Sequence, residues 1–185
     1  MKIYSYVVVN DSGFAPNPFN DFCSLACCKP VIRRNASVGD WIVGTGSKDT
    51  VGNNKLIYAM KITEKMDFNS YYHDKRFQNR SDNIYFKENG KWIQSENKSH
   101  FEDDLKHDLS GKYVLISDEF YYFGKDAINI PKEFSEIIKR GPGHKCYFLH
   151  SLVNDFIKWI ENNNIPGKKG DPYVLNQESY ATGGD

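Results

Sequence analysis

The sequence lacks an excess of charge of either sign, which limits the partners that it can hold. Its 185 residues include 24 basic and 24 acidic side chains, so the formal net charge is zero. Proteins that grip long DNA through bulk electrostatics usually carry a positive surface. Any contact with nucleic acid is therefore expected to be local, through a few basic groups or a pocket for one base.

Long apolar runs are also missing. No stretch approaches the roughly 20 apolar residues that a membrane-spanning helix needs. The first residues, MKIYSYVVVND, turn polar too soon for the pattern of a signal peptide. These absences predict a cytoplasmic protein without a membrane partner.

Cysteine is scarce, and its spacing is unusual. The four cysteines are Cys23, Cys27, Cys28 and Cys146. The C-x3-C-C spacing fits no standard zinc pattern, so neither a metal site nor a cofactor is predicted. Buried, inert thiols are the simplest interpretation. A reactive thiol is the alternative for Cys28, because basic residues follow closely and cations favour the thiolate.

The chain is rich in aromatic residues and in short strand-like segments. Hydrophobic residues make up 39% of the chain and aromatic residues 15%, which is enough to bury a core. The segments pair as hairpins, most clearly around Asn89-Gly90, a type I′ turn signal. Regular strand–helix alternation is absent, which argues against a doubly wound parallel sheet. The pattern predicts an α+β fold with a mixed or antiparallel curled sheet, or a β-barrel, and peripheral helices.

Three short helices are predicted, and one domain. They cover residues 22–28, 131–140 and 152–163, the last capped by Ser151 and carrying an apolar stripe at helical spacing. No repeat or linker interrupts the chain, so residues 1–165 are expected to form a single domain. Residues 166–185 are expected to form a mobile C-terminal tail.

Two segments near the beginning of the chain are candidates for ligand contact. The loop 11–19 is stiffened by prolines and carries Phe14, which either walls a site or fills the core. Lys29, Arg33 and Arg34 lie within six residues, and guanidinium groups fork onto phosphate oxygens. Solvated surface charge is the alternative for this basic cluster.

The segment 39–47, GDWIVGTGS, is a third candidate. Its glycines permit close approach of the backbone to a ligand, and Thr45 and Ser47 offer hydroxyls. The spacing is neither that of a P-loop nor that of a dinucleotide fingerprint. The alternative is that Trp41 belongs to the core and that the glycines only turn a corner.

His144 and Lys145 follow Gly141-Pro142-Gly143 and form a fourth candidate. Histidine is the usual general acid or base near neutral pH, so a Cys28–His144 pair would be the enzymatic version. A solvated turn histidine is the alternative. No ligand spacing is seen for the other histidines, His73, His100, His107 and His150.

Five motifs in order resemble one known family. They are DSGFAPNPF, CCKPVIRR, GDWIVGTGS, FYYFG and GPGHK. Together they resemble the nucleotide modification associated domain family, type 2, over about residues 6–145. The stretch SVGDWIVGTGS with the following hairpin also resembles the PUA-like superfamily, near its EVE and ASCH branches. The resemblance implies a PUA-like barrel from a bacterial or phage protein linked to modified DNA bases.

The resemblance also implies a function, which is the binding of a modified base or nucleotide in an aromatic-lined pocket, from DNA rather than RNA. EVE and YTH domains hold a flipped modified base in this way. The pocket residues implied by the resemblance are Trp41, Ser47, Tyr72, Asp74 and Tyr121. The other residues of the predicted binding set are Phe14, Lys29, Arg33, Arg34, Thr45, Arg76, His144 and Lys145.

Two alternatives stay open at this point. The protein could be an enzyme acting on nucleotides or modified bases, with Cys28, Asp74 or His144 as the catalytic residue. It could instead be a structural protein-interaction domain whose aromatic residues form the core. Turnover, binding without a product and a co-purifying partner would distinguish the three functions.

Overall fold

A computed structural model describes residues 1–173 of the chain. Its regular elements are β1 (Ile3–Val7), β2 (Cys23–Leu25), α1 (Pro30–Asn35), β3 (Trp41–Thr45), β4 (Lys55–Lys61), β5 (Glu64–Asp67), α2 (Phe68–His73), β6 (Tyr85–Glu88), β7 (Lys91–Gln94), α3 (Glu102–Leu109), β8 (Tyr113–Ser117), β9 (Glu119–Tyr122), β10 (Ile128–Asn129), β11 (His144–Lys145), α4 (His150–Asn163) and β12 (Gly167–Lys168). Short 3₁₀ turns cover Lys75–Phe77, Gly124–Asp126 and Lys132–Ile137.

The main sheet is mixed. Seven strands form it, in the order β11-β1-β3-β4-β9-β12, and β10 pairs with β4. β1 lies parallel to β3 and β12 parallel to β9, while the remaining pairs are antiparallel. The predicted α+β class with a mixed sheet is therefore confirmed.

A second sheet, β2-β8-β5, continues from the first through bent strands. The chain passes from β4 in the first sheet to β5 in the second, and from β8 in the second sheet to β9 in the first. The two crossings lie side by side. There the Thr63 N–H donates to the Ile116 carbonyl at 3.0 Å, and the Asp118 N–H donates to Thr63 Oγ1 at 3.2 Å. The strands within residues 1–173 do not close into a barrel, so the predicted barrel is not found there.

Side chains on opposite faces of the main sheet pack into different clusters. Along β3, Ile42 points to the cluster between the two sheets, while Trp41 and Val43 point to the other face. That other face is covered by α4, whose apolar stripe is buried: Val153, Phe156, Ile157 and Ile160. The helix predicted over 152–163 is confirmed, although Leu149 rather than Ser151 precedes its first turn.

The first predicted helix is wrong. Residues 22–28 contain strand β2, because Cys23–Leu25 pair with β8, and this tertiary contact outweighs local propensity. Pro30, which was expected to end a helix, begins α1 instead, where its missing N–H costs nothing. The segment 131–140 forms only a 3₁₀ turn.

Other local predictions agree with the structure. Asn89 and Gly90 have φ of 49° and 78°, so the β6–β7 hairpin has its type I′ turn. Part of the predicted tail is ordered, because Gly167–Lys168 pair with β9. The rest of that tail, residues 174–185, lies outside the described residues. Within residues 1–173, no helix is both long and apolar enough to cross a membrane.

Candidate functional site

The turn between β2 and α1 has an unusual backbone. Cys28 and Lys29 both lie in the left-handed region, with φ of 58° and 45°. Such conformations cost free energy in residues other than glycine, and they concentrate at functional sites. The Cys28 N–H donates to Asp108 Oδ1 at 2.6 Å, and Arg33 Nε donates to the Cys28 carbonyl at 2.6 Å. These bonds hold the turn in place and set the direction of the Cys28 side chain.

The Cys28 sulfur lies beside a histidine that also contacts a carboxylate. Cys28 Sγ is 3.6 Å from His100 Nε2, and His100 Nδ1 is 2.9 Å from Asp108 Oδ2. Thiol, imidazole and carboxylate therefore follow one another in a line, with the two ring nitrogens serving different partners. This is the arrangement by which a carboxylate fixes an imidazole that in turn activates a nucleophile.

His100 is held at the end of the loop that joins β7 to α3. Asn97 Oδ1 accepts from the His100 N–H at 2.7 Å, and Gln94 Nε2 donates to the His100 carbonyl at 3.0 Å. The Phe14 ring packs against the imidazole with a centroid separation of 4.9 Å. Backbone and ring are thus both restrained, so the orientation of the imidazole is set by the fold.

Asp108 is a buried carboxylate with its charge compensated. Its side chain is 0% exposed and forms an ion pair with Arg33, which is also 0% exposed. The Tyr85 hydroxyl donates to Asp108 Oδ2 at 2.9 Å. Gly111 makes room for the arginine, since a Cβ at that position would lie 2.6 Å from Arg33 Cζ. Burial alone would raise the pKa of Asp108, but His100 and Arg33 hold it below the usual range.

The same contacts keep His100 protonated near neutral pH. Burial acts to lower the pKa of this imidazole, but the bonds to Asp108 and Cys28 outweigh burial and raise it to about 10. His100 therefore carries a proton that it can donate from Nε2, the nitrogen beside the sulfur. In contrast, burial raises the pKa of the neighbouring Cys27 thiol well above its ordinary value.

A pocket of about 420 Å³ opens beside Cys28; we call it the thiol pocket. Pro30, Val31 and Ile32 form one of its walls, and His107 and His144 contribute imidazoles. Cys28 is half-buried, whereas Cys23 and Cys27 are fully buried. The Cys28 sulfur is consequently the thiol of this turn that a small molecule can reach.

A larger cavity, of about 610 Å³, lies on the side of His100 where Phe14 packs; we call it the asparagine pocket. It is lined by two phenyl rings and by many neutral polar side chains. Its amide groups come from Asn17, Asn20, Asn79, Asn83 and Asn97, its rings from Phe14 and Phe19, and its hydroxyls from Ser12, Ser81, Ser95 and Ser99.

The side chains around His100 also include a set that could be considered for a metal. Ligand atoms of Cys27, His100 and Asp108 lie within 4.8 Å of one another. A metal needs a thiolate, whereas burial favours the neutral thiol of Cys27. The Arg33 guanidinium already neutralises Asp108 and would repel a divalent cation. The set fits a hydrogen-bonded network better than a metal centre.

Comparison with known proteins identifies a family to which the chain belongs. Residues 1–179 match the family described as nucleotide modification associated domain 2. The chain belongs to that family. No curated protein and no solved structure matches it. Membership confirms the resemblance to this family and gives the protein a role related to nucleotide modification, whereas a PUA-like placement stays a prediction.

Four of the predicted site residues of this family member lie around His100. Cys28, Lys29 and His144 line the thiol pocket, and Phe14 lines the asparagine pocket. Lys29 Nζ lies 4.9 Å from the centre of the Tyr6 ring, at the pocket wall. The Cys28–His144 pair was considered only for an enzyme, and the imidazole that the structure shows beside the Cys28 sulfur is that of His100 instead.

Trp41 of the third segment and Tyr121, both pocket residues implied by the resemblance, lie in the core. Trp41 is 1% exposed and stacks on Tyr121, which is 3% exposed, under α4. A Cβ at Gly44 would lie 2.3 Å from the Tyr58 ring, so this glycine makes room for a core side chain rather than a ligand. Thr45 is buried and donates to the Tyr6 carbonyl at 3.2 Å. The core alternative for this segment is the one that the structure shows.

The basic cluster is also divided between core and surface. Arg33 is sealed inside, where Nη1 donates to the Tyr113 carbonyl at 2.9 Å and Nη2 to the Asp108 carbonyl at 2.7 Å. It therefore cannot reach a phosphate. Arg34 is exposed and donates to the Ser110 carbonyl at 3.1 Å.

The remaining predicted residues are dispersed over the surface. Asp74 accepts from Arg76, which also pairs with Glu64, in an exposed cluster. Tyr72 stacks on Phe86 with centroids 4.4 Å apart. Ser47 bonds to Thr50 within its own turn, and Lys145 Nζ donates to the Glu136 carbonyl at 2.9 Å. Apart from the Asp74–Arg76 pair, the structure does not bring these residues together.

Sequence reasoning did not select His100 or Asp108. They lie 72 and 80 residues from Cys28 along the chain, so no spacing rule connects them. The sequence did contain a cysteine followed by cations, and histidines elsewhere in the chain. This combination is typical of a thiol nucleophile, but it does not identify which histidine is the base. Only the tertiary structure selects His100 from the five histidines.

Proposed function

We propose that this protein binds the base of a modified nucleotide, and that the asparagine pocket holds it. The observation that carries the proposal is the lining of the pocket, in which phenyl rings stand beside several neutral amides. Membership of a family named for nucleotide modification supports the same class of ligand. The aromatic side chain that the binding hypothesis needs is Phe19 rather than Trp41, because Phe19 is half-buried whereas Phe14, although it lines the pocket, is only 6% exposed and packs in the core.

Asn20 and Asn79 suit a base because their side-chain amides each offer both a donor and an acceptor, whereas the amides of Asn17, Asn83 and Asn97 already bond within residues 1–173. Base edges present the same two kinds of group, and asparagine pairs well with them. Phe14 and Phe19 supply flat apolar surface, and stacking contributes about 1–3 kcal/mol per base. A planar heterocycle is therefore the ligand that this lining suits best.

The charges near the asparagine pocket favour a neutral ligand. Arg80 lines the cavity but is buried, where it pairs with Asp82 at 3.5 Å and donates to Asn17 Oδ1 at 2.9 Å. Its charge is thus already compensated. Of the other lining residues, Glu96 and Lys98 carry opposite charges. This balance agrees with a chain of zero net charge, and it favours a mononucleotide or a flipped base over a long duplex.

Binding can be measured by calorimetric titration of the protein with the four deoxynucleoside monophosphates and with 5-methyl- and 5-hydroxymethyl-deoxycytidine monophosphate. We expect a modified nucleotide to bind more tightly than its unmodified parent. The ribonucleotide counterparts serve to compare RNA with DNA, which we propose as the source of the ligand. A cytoplasmic setting belongs to the same proposal, because the four cysteines are free thiols.

Substitutions in the asparagine pocket locate the binding. Phe19→Leu should weaken binding by about 1–3 kcal/mol through lost stacking. Phe148→Leu is the matched control, since Phe148 packs in the cluster under α4. Asn20→Asp and Asn79→Asp keep a residue that tolerates their φ of 55° and 68° while replacing a donor with an acceptor. Equal affinity in Phe19→Leu and Phe148→Leu, with both folded, would contradict the assignment.

A further inference from the structure

We infer that Cys28 and His100, positioned by Asp108, form a catalytic centre that cleaves an acyl bond through a thioester on Cys28. The inference goes beyond the base binding proposed above and does not depend on it. It stands on the line of sulfur, imidazole and carboxylate, with separations of 3.6 Å and 2.9 Å, at the floor of the thiol pocket.

Cys28 is placed as a nucleophile rather than as core filler. Of the three cysteines near this turn it is the one with solvent access, while the sulfurs of Cys23 and Cys27 are sealed. Its left-handed backbone is maintained by two hydrogen bonds of 2.6 Å from different parts of the chain. A strained residue that its surroundings over-determine is typical of a site that needs precise aim.

His100 is placed as the proton donor and acceptor. Its Nδ1–H donates to Asp108 Oδ2, which leaves Nε2 directed at the sulfur. A cation beside a thiol favours the thiolate, and the raised pKa of His100 keeps the imidazole charged at neutral pH. The ring is itself only 11% exposed, so bulk water does not compete strongly for its bonds.

Asp108 is a positioning residue, not the reacting group. It is fully buried and accepts from the Cys28 N–H, from Tyr85 and from Arg33, besides His100. Those bonds occupy both oxygens. The role that remains is to fix the tautomer and orientation of the imidazole and to stabilise its positive charge.

The reaction follows from these placements. The Cys28 thiolate attacks the carbonyl carbon of an amide or ester, which forms a C–S bond. The C–N or C–O bond then breaks, and the leaving amine or alcohol takes the Nε2 proton of His100. Neutral His100 next accepts a proton from water, whose oxygen attacks the thioester carbon. The C–S bond breaks and the thiolate–imidazolium pair is restored, so the net change is hydrolysis of the acyl bond by one water.

The thiol pocket sets the class of acyl group. Its wall of Pro30, Val31 and Ile32 is apolar, and its volume of about 420 Å³ suits a small group rather than a polymer. Short acyl chains carried by an amine or an alcohol are therefore the expected substrates.

The reactivity of the thiol is tested first, with iodoacetamide and peptide mass spectrometry at pH 6. Cys146 is also half-buried and serves as a control within the same chain. We expect Cys28 to be alkylated at least about tenfold faster than Cys146, because the His100 imidazole lies 3.6 Å from the Cys28 sulfur and can activate it. This comparison needs no variant, so it holds even if substitutions at the site destabilise the fold. Equal rates for the two cysteines would overturn the inference.

The covalent step is tested with p-nitrophenyl acetate as the probe. We expect a burst of one p-nitrophenolate per protein chain and an acetyl adduct on the Cys28 peptide. His100→Gln should slow the burst at least about 100-fold, by the usual contribution of a general acid–base group. His150→Gln is the control, since His150 is an exposed residue at the start of α4. An adduct elsewhere, or an unchanged burst in a folded His100→Gln protein, would overturn the inference.

The outcome is independent of nucleotide binding. If Phe19→Leu weakens nucleotide binding and leaves the Cys28 burst, both proposals stand as separate sites. If Cys28 reacts as expected and no nucleotide binds, the proposed function fails and the catalytic inference stands. If nucleotides bind while Cys28 reacts no faster than Cys146, the protein binds its ligand without this chemistry.

Discussion

Two regions of the molecule contain residues that the sequence singles out as candidate site residues. The structure buries one region completely and leaves the other open to a pocket. On the sealed face, Trp41 and Tyr121 stack under α4 and are at most 3% exposed. On the reactive face, Cys28, His100 and Asp108 meet beside a pocket. The sealed face buries apolar area, whereas the reactive face buries charge and keeps a thiol accessible. Burial of paired charge, more than aromatic content, distinguishes a site from a core here.

On the sealed face, the largest loss of stability is expected from substitution of Trp41. Trp41→Ala should lower the free energy of unfolding by about 3–5 kcal/mol, because it leaves a large cavity under α4. Urea denaturation followed by circular dichroism measures the loss. Trp41→Phe is the control, since it keeps a ring and removes an indole N–H that has no hydrogen-bond partner in the described residues. A loss below about 1 kcal/mol for Trp41→Ala would mean that the ring is not packed as the structure shows.

On the reactive face, a similar loss of stability is expected from substitution of Arg33. Arg33→Met should lower the free energy of unfolding by about 3–5 kcal/mol, because Asp108 is left as a buried charge without its partner. The same urea titration measures it. Arg34→Met is a matched control on the adjacent residue, whose exposed guanidinium donates only to the Ser110 carbonyl among the described residues. Similar losses for the two variants would contradict the difference in burial.

The charge of His100 makes the reactive face dependent on pH. Because its folded pKa of about 10 exceeds the ordinary 6.5, protonation stabilises the fold. This contribution is complete below pH 6.5 and is lost as the pH rises towards 10. We expect a decline of about 1–3 kcal/mol over that range, the usual value of a charged hydrogen bond.

Unfolding titrations at several pH values measure this decline. Asp108, Cys28 and Tyr85 are the titratable groups that contact the His100 ring. His100→Gln removes the titrating group and should flatten the curve, while His150→Gln should leave it unchanged. A wild-type curve without a decline above pH 6.5 would show that His100 is not held in its charged form.

The sealed face was largely predictable from local pattern. The apolar stripe of α4 and the Asn89-Gly90 turn follow from periodicity and turn chemistry, and both are confirmed. The helix expected over 22–28 failed because its residues pair with β8, about 90 residues later in the chain. Local propensity cannot weigh a contact at that distance, and three strand residues are too few to show a period.

The reactive face was predictable only in part. Cys28 could be selected because cations follow it. Its base, His100, comes from the loop before α3, and the carboxylate of Asp108 comes from α3 itself. Arg33 illustrates the limit well. Its sequence context suggests a phosphate ligand, but the structure buries it. Gly111 leaves space for the guanidinium group, and Asp108 provides the negative charge that compensates it. A polar residue's burial depends on partners that sequence spacing does not reveal.

Arg76, an exposed arginine, gives the prediction with the smallest expected loss of stability. Arg76 pairs with Glu64 and Asp74 at 2.9 and 2.7 Å, distances as short as those around Arg33, but its side chain is 44% exposed. Water screens such pairs, so Arg76→Met should cost at most about 1 kcal/mol, and less in high salt. Urea denaturation at low and high salt measures both effects. If Arg76→Met proved as costly as Arg33→Met, geometry rather than burial would set the worth of these ion pairs, and the distinction between the two faces would lose its physical basis.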